Sequence, residues 1–178
     1  MQILFVHGAG GWDDDQPIIE GLRRRTGLPV HADPFGDEDM SAATWRGLLA
    51  RRLEPLGPDV ILVGHSFGAS MALQHVADPP ADLLPAGLAL LAMPDWGPQG
   101  WDVAEYALPD DAHVPTELPV WLHHCRDDAV VPVDHVELHR RRLPRARVRR
   151  HDTGGHQLEG RLDAVADDLL DGAAQRDV

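Results

Sequence analysis

Short apolar runs recur along the chain, separated by stretches in which apolar positions return every three or four residues. Residues 2–6, 28–32, 60–63, 87–91, 119–123 and 146–151 are the expected strands. Runs such as Val60-Ile61-Leu62-Val63 lack polar alternation, as strands buried on both faces do. Helices are expected between them. Residues 17–25 carry Ile18, Ile19 and Leu22 at helical spacing and close at Gly27. Residues 41–53 place Trp45, Leu48, Leu49 and Leu53 on one face, leaving Arg46, Arg51 and Arg52 as a solvated face. Further helices are expected over 69–77, 133–142 and 158–170, the last with Leu162, Val165, Ala166, Leu169 and Leu170 on its apolar side. Pro34 interrupts the second strand, Pro55, Gly57 and Pro58 stop the second helix, and Asp78-Pro79-Pro80 stops the third.

This alternation predicts an α/β fold: one domain over residues 1–178, with about six mostly parallel strands and helices on both faces. No repeat or linker interrupts it. Residues 94–118 are rich in proline, glycine and acid, contain Trp96, Trp101 and Tyr106, and read as a short lid-like insert.

Composition narrows the classes. A chain of 178 residues, 43% hydrophobic and 25% charged, suits one globular domain. No apolar run reaches the roughly 20 residues of a membrane helix. Residues 1–6 are too short and lack the basic flank for a signal peptide. The single cysteine, Cys125, precludes an internal disulfide, so a cytoplasmic setting is expected. A net charge of −13 argues against nucleic-acid and anionic-membrane partners. The one basic cluster, between Arg140 and Arg150, has no interleaved aromatics; it reads as a solvated helix end and an edge strand guarded by charge.

Chemistry in open parallel sheets gathers beyond the carboxyl ends of strands. Four such loops are polar here: His7-Gly8-Ala9-Gly10-Gly11, Gly64-His65-Ser66-Phe67-Gly68, Asp127-Asp128 and Gly154-Gly155-His156. The second is a Gly-x-Ser-x-Gly between strand and helix, a nucleophile elbow in which a Cβ at 64 or 68 would strike a neighbouring element. The first is no dinucleotide loop: the Gly-x-Gly-x-x-Gly spacing is missing, and Trp12-Asp13-Asp14-Asp15 would set anions beside a pyrophosphate. His123, His124, Cys125, His135 and His139 raise a metal question. Val136 stands where a zinc-protease helix needs glutamate, and no Cys-x-x-Cys occurs, so neither a metal nor a cofactor is expected.

Serine, aspartate and histidine follow one another in the chain order of the α/β-hydrolases. Val6-His7-Gly8, Gly64-His65-Ser66-Phe67-Gly68, Asp128-Ala129-Val130-Val131-Pro132 and Gly154-Gly155-His156 resemble the motif set of the α/β-hydrolase fold superfamily. The short length, Asp33-Pro34 and Trp45 are similar to small, nearly capless serine hydrolases of the retinoblastoma-binding-protein 9 type. Cys125 stands where the superfamily often has glycine, and residues 94–118 match no pattern.

The resemblance implies Ser66 as nucleophile, His156 as general base and Asp128 as its orienting acid. The backbone N–H groups of Ala9 and Phe67 would bind the oxyanion. His151 is the rival base, at a strand end, and Asp127 the rival acid; the spacing to Val131-Pro132 favours Asp128. Trp96 and Trp101 either roof an acyl pocket or pack the insert down. The expected activity is cleavage of a small-molecule carboxylic ester, or a thioester or amide, through an acyl-enzyme. A weakly active hydrolase-fold interaction protein, and a lyase or perhydrolase using the same residues, are the alternatives.

Overall fold

In the computed structural model, which describes residues 1–78 and 84–174, the apolar runs become six strands. These are β1 (Gln2–Val6), β2 (Val30–His31), β3 (Val60–His65), β4 (Gly87–Leu91), β5 (Val120–Cys125) and β6 (Arg147–His151). They form one sheet in the order β2-β1-β3-β4-β5-β6, every neighbouring pair parallel. Among the described residues five α-helices accompany them: α1 (Gln16–Thr26), α2 (Ala42–Leu53), α3 (Phe67–Ala77), α4 (Asp134–Arg142) and α5 (Leu162–Ala174). The chain starts inside the sheet, steps outward to β2, then crosses back to β3 and travels the other way. The loops after β1 and β3 therefore flank the point where the order reverses, the usual place for a site in such sheets.

Side-chain alternation splits the core into two layers. Ile3, Phe5, Ile61 and Val63 face Ile18 and Leu22 of α1 and Val165 and Leu169 of α5. Leu4, Val6 and Leu62 face Trp45 and Leu49 of α2, Met71 of α3 and Val136 of α4. Both β3 and β4 are buried at every position, and each such aliphatic side chain contributes about 1.5–3 kcal/mol over its exposed state.

Several boundaries differ from expectation. β2 keeps only two of five residues because prolines 29 and 34 bracket it; Pro29 can only accept, from the Ile3 amide at 2.8 Å. α3 begins two residues early, at Phe67. α5 begins at Leu162, not 158, because Leu158 (φ 51°) and Gly160 (φ 70°) lie in left-handed turns. Leu170, expected on the buried face of α5, is 37% exposed. The stop at Pro79-Pro80 lies outside the described residues.

The arginines also do more than face solvent. Arg52 donates to the Asp33 and Pro34 carbonyls (2.9 and 2.8 Å), with its guanidinium 3.9 Å from the Phe35 ring centre. Arg147 and Arg149, on the edge strand β6, both bond the buried Asp168 of α5. Arg142 binds the Leu108 and Pro109 carbonyls of the insert.

Candidate active site

Ser66 links β3 to α3 in a conformation non-glycine residues rarely adopt, φ 51° and ψ −121°. The glycines on either side let the chain come close enough to hold it there. A Cβ on Gly64 would lie 2.5 Å from Ala69 Cα, and one on Gly68 2.3 Å from the Val6 and His7 carbonyl oxygens. The Ser66 amide donates to the Leu91 carbonyl of β4 at 2.8 Å, pinning the turn to the sheet. Phe67 is the first residue of α3, so its amide has no carbonyl one turn earlier to bind.

The loop after β1 lies against this turn. A Cβ on Gly8 would stand 3.2 Å from Ser66 Cβ and 3.7 Å from its Oγ. His7 is buried and shapes the loop: its Nε2 accepts the Phe35 amide at 2.7 Å, leaving Nδ1 to donate to the Gly8 carbonyl at 2.6 Å. Gly8 and Gly10 donate to the carboxylates of Asp15 (2.9 Å) and Asp37 (3.0 Å), and Gly11 donates to the Gly8 carbonyl. Ala9, between them, makes no such bond among the described residues. Its amide is therefore unengaged, one residue beyond the Gly8 that lies against Ser66.

Asp128 and Asp127 follow β5 and point in different directions. Asp128 is buried; its Oδ1 accepts the Val130 and Val131 amides at 2.8 and 2.9 Å, and its Oδ2 accepts from His156 Nδ1 at 2.8 Å. Burial pushes its carboxyl up, but the His124 and His156 rings and the two amides outweigh that and hold it well below the ordinary carboxylate range. Asp127 is exposed and bonds backbone instead, accepting the Gly155 amide at 2.8 Å and the Gly154 amide at 3.2 Å. It shapes the loop that presents His156. Cys125 is buried behind that loop, its Sγ 2.9 Å from where a Gly154 Cβ would sit, and burial pushes the thiol up to about 11.

His156 thus meets Asp128, while His151 does not: that ring stacks on His123 at 5.4 Å, and burial pushes it down to about 4. No hydrogen bond joins the Ser66 hydroxyl to His156 among the described residues. The two are brought together through His65 instead, whose Nε2 donates to the His156 carbonyl at 2.9 Å, with the two rings 4.7 Å apart. On its other side His65 Nδ1 lies 2.9 Å from the Asp15 carboxylate. The sequence reading missed both: Asp15 read only as part of an acidic run, and nothing local ties it to a residue fifty positions on.

Trp96 packs the insert onto α3. Its Nε1 donates to Ser70 Oγ at 2.7 Å, and its ring meets Phe67, Trp101 and Tyr106 edge-on at 6.0, 4.9 and 5.0 Å. Trp101 lies outside it, 40% exposed. An open cavity of about 490 Å³ borders Asp127, Thr153, His156, Gln157 and Glu159. A larger one of about 630 Å³ is lined by Leu108, Val114, Val120 and Ala146, at the opposite ends of β5 and β6 and away from this chemistry. Among the described residues no three His, Cys, Asp or Glu side chains converge as metal ligands; His135 Nδ1 instead accepts the Asp95 amide at 2.8 Å.

No protein-family model matches the chain, and a search of curated proteins by sequence finds no match. Solved structures do match. MGS-MChE2, an α/β hydrolase enzyme from the metagenome of lagoon sediments at Mar Chica, Morocco, is 21% identical at a TM-score of 0.70, over 100% of this chain and 92% of that one. The ydeN gene product of B. subtilis is 16% identical at 0.74, over 97% and 98%. A carboxylesterase of Bacillus cereus is 15% identical at 0.64, over 97% and 88%. The parallel sheet, its strand order, the serine turn after β3 and these likenesses give the chain the α/β-hydrolase fold.

Proposed function

We propose that the chain is a serine hydrolase cleaving small-molecule carboxylic esters through an acyl-enzyme. The observation that carries this is the Asp128–His156 hydrogen bond beside a serine held at positive φ. Because Asp128 accepts from Nδ1, a neutral His156 keeps the lone pair on Nε2, the atom that must take the Ser66 proton. Hydroxyl-to-imidazole bonds of this kind are often long without substrate and tighten when it binds.

In the reaction, Ser66 Oγ attacks the acyl carbon as His156 Nε2 removes its proton. The Ala9 and Phe67 amides receive the oxyanion, with the positive end of α3 behind the latter. His156 then protonates the departing alcohol, and a water, activated by the same ring, releases the acid. No cofactor enters these steps. Trp96, edge-on to Phe67, walls the acyl side, with Trp101 at its rim. An insert packed onto α3 instead of arching over the site suits short to medium acyl groups. A carboxylesterase among the structural neighbours supports ester chemistry, and the short insert supports the small, nearly capless branch of retinoblastoma-binding-protein 9 type. We place the enzyme in the cytoplasm, on its single buried thiol.

A fluorophosphonate probe and a panel of p-nitrophenyl esters test this. The wild type should be labelled and active, and a folded Ser66→Ala should lose both. Undiminished labelling of Ser66→Ala would sink the assignment.

A further inference from the structure

Asp15 and His65 are almost wholly withdrawn from solvent, at 0% and 1% exposure. Buried ionisable groups persist where their hydrogen bonds are made, and these bonds lead to three parts of the site at once. The Asp15 carboxylate accepts the Gly8 amide at 2.9 Å, next to Ala9. His65 adjoins Ser66 in the chain. Its Nε2 reaches across to the backbone carbonyl of His156 at 2.9 Å.

The hydrogens can be counted. A carbonyl only accepts, so Nε2 carries a hydrogen. The contact between Nδ1 and the carboxylate then needs a second, on the ring or on the acid. The pair therefore holds one proton more than a neutral imidazole and a carboxylate would. Burial pushes the Asp15 carboxyl up, but the His65 ring and the Gly8 amide outweigh it and bring it below the ordinary range. The other ring facing His65 is that of His156, itself bonded to Asp128.

We propose that Asp15 and His65 are positioning residues that fasten the His-Gly loop and the His156 loop to the serine turn, setting base and oxyanion amide against Ser66 as one unit. The inference rests on the hydrolase reading for its effect on rate, but the tether is measurable without activity. Two isosteric changes separate its arms. In His65→Asn the amide nitrogen falls where Nδ1 was, keeping the Asp15 bond and losing the reach to His156. In His65→Gln it falls near Nε2 and can still donate to that carbonyl.

Amide hydrogen exchange over residues 153–158 should be about tenfold faster in His65→Asn than in wild type and near wild type in His65→Gln. On a p-nitrophenyl ester, kcat of His65→Asn should drop roughly 10–100-fold with KM within about threefold, and His65→Gln should recover most of it. In the wild type itself, the His65 Nε2 proton should be shielded from exchange with water by nuclear magnetic resonance, whether or not either variant folds. A ring proton exchanging as freely as in imidazole overturns the proposal, as do folded His65→Asn and His65→Gln with equal exchange and equal kcat. If the ring proton is shielded and the exchange pattern holds while the wild type cleaves no ester, the hydrolase reading fails and the tether stands.

Discussion

Two adjacent carboxylates leave β5 and do different work, and their difference gives a quantitative expectation. Asp128→Asn would offer His156 Nδ1 an amide N–H where it needs an acceptor, favouring the wrong tautomer. We expect a folded protein with kcat lowered by about 10³–10⁴. Asp127→Asn keeps one oxygen for the Gly154 and Gly155 amides and should cost no more than about tenfold. Steady-state kinetics on one ester, with circular dichroism to verify folding, ranks them; the reverse order would exchange their roles. At this scale the sequence was most legible where the chemistry is local. Ser66 lies in five consecutive residues whose glycines have a steric purpose, and the expected pairing of Asp128 with His156, with Asp127 as the rival acid, came from the resemblance to the α/β-hydrolase motif set. Asp15 was illegible because its meaning depends on His65 and Gly8, which only the folded sheet brings to it. Arg52 was misread for the same reason: the Asp33 and Pro34 carbonyls it caps belong to the loop after β2, which only the fold brings to it.

Elements with strong periodicity were predicted nearly to the residue, and those edited by turn chemistry were not. β4 matches its run, while β2 shrank between two prolines and α5 lost its first turn to left-handed residues at 158 and 160. The insert was hardest, since it has no period to read; the docking of Trp96 on Ser70 and Phe67 and the bonds from Arg142 and Gln74 to its carbonyls show what it rests on. The two tryptophans should separate accordingly. Trp96→Ala removes an indole packed among three rings and should cost about 2 kcal/mol or more in thermal unfolding. Trp101→Ala should cost under about 1 kcal/mol yet shift kcat/KM between butanoate and octanoate esters. Equal stability losses and unchanged chain-length ratios in both would remove the insert from the acyl site.

Across the whole molecule, buried histidines make stability depend on acid. Burial pushes His123, His135, His139 and His151 below their ordinary value, His151 to about 4. Unfolded, each titrates near 6.5. Between that pH and about 4 the unfolded chain binds more protons than the folded one, so stability is full above the window and is lost as pH falls through it. Below about 4 the depressed carboxylates of Asp15, Asp128 and Asp168 add loss in the same direction. The melting temperature should drop by about 5 °C or more from pH 7.5 to 4.5, and less in His151→Gln; a flat profile would contradict it. The strand order also has a consequence in time. The proposed serine and oxyanion amides lie in the loops after β1 and β3, whereas the proposed acid and base follow β5 and β6, later in the chain. A growing polypeptide that has emerged only as far as the insert holds its serine with nothing to take the proton. On the proposed acyl-enzyme reading, whatever acyl compounds surround the ribosome, the nascent chain is spared premature acylation until β5 and β6 have joined the sheet.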